Sequence, residues 1–170
     1  TVLATGSAPK TIPGVEIDGI RVLTSEHALR LETLPTKAVV LGGGVIGVEF
    51  ASAWTSLGVE VTVVEALPRL LPGEEPEISA ALERALRKRG LNIRTGSGVE
   101  QVHVSDEGVS LSLADQSTVS GELVLVAVGR GPVSAGLGYE EAGVALERGP
   151  VSVGQHLQTP GDDVYPVGDP

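Results

Sequence analysis

The spacing of three glycines between two apolar runs limits what this chain can fold into more than any other feature of it. In KAVVLGGGVIGVEFASAWTSLGVEVTVVE, residues 37–65, the run Ala38 to Leu41 is short, β-branched and continuously apolar. That is the pattern of a strand buried on both faces of a parallel sheet. Gly42, Gly44 and Gly47 then follow at G-x-G-x-x-G spacing. Gly42 permits a tight turn out of the strand, Gly44 lets a pyrophosphate approach the backbone with no Cβ in the way, and Gly47 lets helix and strand pack closely. Apolar residues at Val45, Ile46, Val48, Phe50, Ala51, Trp54 and Leu57 cover more than one face of the following helix, as packing on a sheet requires. Gly58 suits its C-cap. Free amides and the macrodipole converge at the helix start, so an anion belongs there without any positive side chain.

The second strand, Val59 to Val64, ends in Glu65, about 20 residues beyond the first glycine, where the dinucleotide fingerprint places its acid. A carboxylate there accepts both ribose hydroxyls of an adenosine and repels a 2′-phosphate. Ala66 and Leu67 are neutral, and Arg69 follows a proline, so no phosphate clamp is evident. NAD is expected in preference to NADP. The competing reading is a structural turn, with Glu65 a solvated strand end.

Composition narrows the setting. The 170 residues suit one domain, or one domain with pieces of another. A formal charge of −10 opposes nucleic-acid binding, which needs a basic footprint, and four aromatic rings in all (one Trp, two Tyr, one Phe) give no stacking platform. No apolar run approaches a membrane span and no signal peptide is visible, so a soluble, cytoplasmic setting is expected. Zero Cys removes both a disulfide framework and a redox thiol from this chain. The absence of Met fits an excised part of something longer.

Elsewhere, TVLATGSAPK reads as the end of a buried strand entering a turn at Thr5-Gly6-Ser7. Ile12 to Leu23 reads as a connector, followed by a short helix capped by Thr24 or Ser25 and running to about Leu31. After a loop at 66–76, Pro76 opens a helix whose first turn is acidic, whose end is basic at Arg84, Arg87, Lys88 and Arg89, and whose apolar stripe is Ile78, Leu82, Ala85 and Leu86. Leu91 to Arg94 is a third strand. Val99, Val102 and Val104, then Val109, Leu111 and Leu113, alternate with polar residues, which predicts a half-buried β-meander where a crossover helix is usual. Leu123 to Val128 is a fourth parallel strand ending at Gly129. Tyr139 to Ala142 is a candidate helix, and Val151 to Val153 and Asp163 to Val167 are candidate strands. His27, His103 and His156 have no metal-ligand spacing and read as surface or edge residues, and no catalytic triad or carboxylate pair stands out.

GGGVIGVE at Gly42 to Glu49, VTVVEALPRLLP at Val61 to Pro72, LVAVGRGP at Leu125 to Pro132, GLGYEEAGV at Gly136 to Val144 and VYPVGD at Val164 to Asp169 resemble the FAD-dependent pyridine nucleotide-disulfide oxidoreductases. The similarity is closest to their dihydrolipoamide dehydrogenase branch and covers nearly the whole chain. It implies an α/β fold: a Rossmann-like parallel sheet with a three-stranded β-meander crossover, flanked by pieces of the FAD and central domains. The corresponding regions are 1–35, the end of the FAD domain and a connector; 36–130, the NAD-binding domain; and 131–170, the start of the central region. Gly42, Gly43, Gly44, Val45, Ile46, Gly47, Val48 and Glu49 are expected to cradle NAD, with Glu49 near the nicotinamide carboxamide. Glu65 is expected on the adenosine ribose, Val99 beside the adenine and Gly129 near the nicotinamide ribose. Thr5, Gly6, Ser7 and Asp169 resemble parts of an FAD site. Val45 stands where glutathione reductase-like members carry a gating tyrosine. Two positions depart from the family pattern: Gly131 replaces a common second arginine, and Pro166 interrupts the last strand.

The resemblance places the FAD glycine fingerprint and the redox cysteine pair upstream, and a His-Glu dyad with the dimer interface downstream. It implies hydride transfer from reduced FAD to NAD during oxidation of dihydrolipoamide carried on a 2-oxoacid dehydrogenase complex, by a homodimeric parent, with no catalytic residue in this chain. The alternatives are another FAD-dependent NADH oxidoreductase, such as a peroxidase, a coenzyme A-disulfide reductase or a mercuric reductase, and a free-standing NAD-binding module.

Overall fold

The structure, a computed structural model, describes residues 1–161 and 163–169. Asp162 and Pro170, the latter closing the expected third region, lie outside the described residues. In chain order the elements are β1 (Val2–Leu3), β2 (Ser7–Pro9), β3 (Val22–Leu23), α1 (Ser25–Ala28), β4 (Lys37–Leu41), α2 (Val45–Ser56), β5 (Glu60–Val64) and α3 (Pro76–Lys88). They continue with β6 (Asn92–Arg94), β7 (Val99–Ser105), β8 (Gly108–Leu113), β9 (Thr118–Gly121), β10 (Leu123–Val126), β11 (Arg130–Pro132) and β12 (Tyr165–Pro166). The chain divides into two compact units: residues 11–129, and residues 1–10 together with 130–170.

The unit 11–129 is built on a five-stranded sheet of order β3-β10-β4-β5-β6, every neighbouring pair parallel. Its central strands are continuously apolar because both faces are covered. On one face Ala38, Val40, Val61, Val63 and Leu125 pack with Val48, Ala51 and Trp54 of α2 and Leu86 of α3. On the other, Val39, Leu41, Val124 and Val126 pack with Val109, Leu111, Leu113 and Val119 of the meander β7-β8-β9. An antiparallel three-stranded sheet thus covers the face where a helix was the alternative. The α/β class and the meander crossover agree with the reading of the sequence.

Several local expectations are corrected. The stretch 11–35, expected as a connector, clusters with the sheet unit: β3 extends the sheet, and Ile12, Val15 and Ile17 pack against the meander-side core. β3 lies at the end of the stretch 12–23 whose sequence reads as a connector, since two residues carry no periodicity. α1 ends at Ala28, short of Leu31. On α3 the buried positions are Ser79 and Leu86, with Leu82 partly buried, whereas Ile78 is 53% exposed and Ala85 is exposed: the stripe is rotated because Ser79 meets the preceding loop. In the meander the register shifts between Val99 and Gln101, Val102 packs partly buried against the core, and Val104, near the end of β7, is exposed.

In the other unit β1 is not a buried strand, since Val2 is 66% exposed. It pairs in parallel with β12, and β2 pairs antiparallel with β11. Pro166 does not interrupt its strand: Tyr165 N and Val167 N donate to Thr1 O and Leu3 O, so the alternate position needs no N–H. Residues 139–142 form turns and no helix, and Val151 makes only an isolated bridge to Leu146. Tyr139, Val144 and Val151 form a small core of their own.

Candidate functional site

The carboxyl ends of β4, β5 and β10 meet the start of α2 at a cleft of about 750 Å³, within the usual range for ligand pockets. Open α/β sheets bind their ligands at this edge. The cleft is bordered by Gly42, Gly44, Val45 and Ile46 from the glycine turn and by Glu65, Ala66 and Leu67 beyond β5. Gly98 and Val99 at the meander entry, and Ala127, Val128 and Gly129 beyond β10, complete one side. Ile12, Pro13 and Pro72 also line it; sequence reasoning gave none of them a role, Ile12 and Pro13 lying in a loop with no motif of their own and Pro72 closing a motif without an assigned contact.

The glycines divide by task. Gly42 has φ +114°, and a Cβ on it would stand 2.3 Å from Ala127 O, so the turn and the close approach to the end of β10 both require glycine. A Cβ on Gly47 would lie 2.0 Å from Gly42 O. At Gly44, in extended backbone, a Cβ would meet nothing within 4 Å. Gly44 is the N-cap of α2 and lines the cleft with Val45 and Ile46, and the leading N–H groups of such a helix have no partner within it and favour an anion. Of the other expected site residues, Val48 is buried in the core, Gly43 and Gly47 lie beneath the cleft surface, and Glu49 is exposed on α2 without lining it. Val45 is 57% exposed at the cleft edge.

Among the described residues Glu65 is the one charged residue lining the cleft, and no cation lines it. It is not a solvated strand end: it is only 9% exposed, Oε2 accepts Gly43 N–H at 2.6 Å, and Oε1 accepts Leu67 N–H at 2.7 Å. A carboxylate has about four acceptor sites, so each oxygen keeps capacity for a further donor. Its backbone is equally fixed, with Glu65 N donating to Arg94 O and Glu65 O accepting Ser97 N–H.

Thr5, Gly6, Ser7 and Asp169 belong to the other unit. Thr5 Oγ1 and Tyr139 Oη are 2.9 Å apart, Gly6 O accepts Val133 N–H, and Ser7 Oγ accepts Arg130 Nε–H at 2.7 Å. The missing arginine side chain at Gly131 leaves room for the Lys10 stem, whose Cε would be 2.9 Å from a Cβ there. Asp169 is exposed after Gly168.

With this geometry in view, the family model for pyridine nucleotide-disulphide oxidoreductase matches residues 1–170. The chain belongs to this family. Among pyridine nucleotide-disulphide oxidoreductase relatives, the dihydrolipoyl dehydrogenase of Chlorobaculum tepidum is 41% identical over 99% of this chain and 37% of that protein. Among solved structures, LpdA from Mycobacterium tuberculosis superposes with a TM-score of 0.90 at 35% identity, covering 99% of this chain and 37% of that one. The HOCl-induced flavoprotein disulfide reductase RclA from Escherichia coli gives 0.88 at 34% identity over 99% and 39%. The chain therefore spans rather more than a third of the relatives it matches. Among the described residues no helix is long and apolar enough to cross a membrane.

Proposed function

We propose that this chain holds NAD in a disulfide oxidoreductase of the dihydrolipoamide dehydrogenase branch. The observation that carries the proposal is a cleft at the helix N-terminus whose single charged group, among the described residues, is the Glu65 carboxylate. A pyrophosphate fits against the turn only because Gly44 leaves its space open, and it is held by main-chain amides in a chain that is acidic overall. Glu65 accepts from the adenosine ribose with the capacity its two internal bonds leave, and a 2′-phosphate there meets a carboxylate and no cation. Val99 flanks the adenine and Gly129 the nicotinamide ribose, with Glu49 toward the carboxamide.

The nicotinamide, when bound, supplies a hydride acceptor. The chain's own part is to orient the dinucleotide and exclude water from it with Ile12, Pro13 and Val128. Thr5, Gly6, Ser7 and Asp169 contribute part of an FAD site. The parent acts as a homodimer on dihydrolipoamide carried by a 2-oxoacid dehydrogenase complex in the cytoplasm. Titration of the chain with NADH and NADPH by fluorescence tests the reading: saturable NADH binding, much tighter than NADPH, is expected, and equal or absent binding defeats it. The similarity to RclA, a disulfide reductase of a different name, keeps another flavoprotein reductase as the second reading. The cysteine motif of the parent decides between them.

A further inference from the structure

Between β5 and α3, residues 66–75 have no regular structure, yet they are held at almost every step. Leu70 is fully buried, and Leu71 sits at φ +45°, a conformation that L-residues adopt only where their surroundings over-determine it. Its surroundings do so. Leu71 N donates to Gly43 O at 2.8 Å, while Leu71 O accepts both Glu74 N–H at 2.9 Å and the hydroxyl of Ser79, 1% exposed on α3, at 3.2 Å. One terminal nitrogen of Arg69 donates to Pro72 O at 2.7 Å and Glu74 O at 3.1 Å, tying together the chain that follows Leu71.

All of this converges on Gly43. Its N–H goes to Glu65 Oε2 and its carbonyl to Leu71 N–H, and a Cβ on it would stand 2.7 Å from Leu70 Cδ2. A side chain on Gly43 would thus press on both Leu70 of the arch and Glu65, so close packing of the arch on the turn favours glycine there. It is also the link between Gly42 and Gly44, both of which line the cleft, so its peptide plane sets theirs.

We propose that the arch 66–75 is a positioning element for the dinucleotide cleft, in which Arg69 and Ser79 hold Leu71 against Gly43 and so fix the glycine turn in its binding geometry before the ligand arrives. The proposal rests on the dinucleotide reading of the cleft. A turn of three successive glycines is otherwise among the most mobile that a chain can have, and ordering it on binding costs affinity. Arg69 and Ser79 touch no ligand; they act through Leu71.

Arg69→Met and Ser79→Ala separate this from general stability, with Arg84→Met, an exposed arginine elsewhere on α3, as the control for lost charge. For each, NADH affinity is measured together with amide hydrogen exchange at Gly43, Leu71, β4 and β5. The expected result is a dissociation constant raised about tenfold for the first two variants, the scale of one lost hydrogen bond to a tightly held group. Exchange should quicken at Gly43 and Leu71 and stay unchanged in β4 and β5, and Arg84→Met should alter nothing. Affinity and exchange matching Arg84→Met overturn the proposal, and so does exchange that quickens equally in β4 and β5. If the parent chain fails to bind NADH, the dinucleotide reading falls by itself, and Gly43 exchange in Arg69→Met still decides whether the arch fixes the turn.

Discussion

On the proposed reading Glu65 does two jobs with one carboxylate, and the structural one changes what its loss should look like. With alanine there, the buried Gly43 N–H loses its acceptor, a defect of about 1–3 kcal/mol. We expect Glu65→Ala to lower the urea midpoint accordingly, to weaken NADH binding and to shift the NADH/NADPH preference toward NADPH. Loss of stability with an unchanged preference would reduce Glu65 to a staple of the turn. The glycines offer a sharper separation. Gly44→Val adds its methyls to open space in an extended backbone, so unfolding should be close to the parent's while NADH binding disappears. Gly47→Ala drives a methyl into Gly42 O, so unfolding itself should come at markedly lower denaturant. If both variants fold and bind alike, the division of labour along the turn is wrong.

Long, strongly patterned segments were readable from the sequence, and the reason is periodicity. β4, α2, β5, the meander and β10 each bury a regular set of side chains, so apolar spacing announces them. What escaped was held by tertiary contact. β3 is two residues long and exists because β10 offers it an edge. The candidate helix at 139–142 stayed a turn in a unit whose own core is only a few side chains. In the cleft, the glycine turn and Glu65 were visible because their chemistry requires those residue types, whereas Ile12 and Pro13 reach it from a loop. The entry to β3 gives a pH test. Asp18 Oδ1 accepts the N–H groups of Ile20, Arg21 and Val22 at 2.7–2.8 Å. Partial burial opposes its charge, but these amides outweigh that and hold its carboxyl below the ordinary value of 3.8. Its contribution to stability is therefore complete above about pH 5 and is lost as pH falls through the lowered folded value. Asp18→Asn should flatten the acid limb of a melting-temperature profile between about pH 5 and 2, and a limb as steep as the parent's would show that Asp18 is not coupled to folding.

Taken entire, the chain has no cysteine, so it has no thiol with which to exchange a disulfide. We expect it to bind NADH and yet to give no NAD-dependent oxidation of dihydrolipoamide with FAD supplied; an absorbance assay of NADH formation checks this, and turnover would place the chemistry inside these residues. Every residue lining the cleft falls within 11–129, one unbroken stretch of chain. That stretch leaves and re-enters the other unit at neighbouring points, because Pro9 of β2 stands opposite Arg130 of β11 in an antiparallel pair. Were residues 11–128 deleted, Lys10 and Gly129 could join as a two-residue hairpin turn, with Gly129 already at φ +112°. In the language of gene architecture, the module that carries the cleft occupies the place of a β-turn: a single insertion at one hairpin tip is enough to install it, and a host sheet need not be rebuilt to receive it.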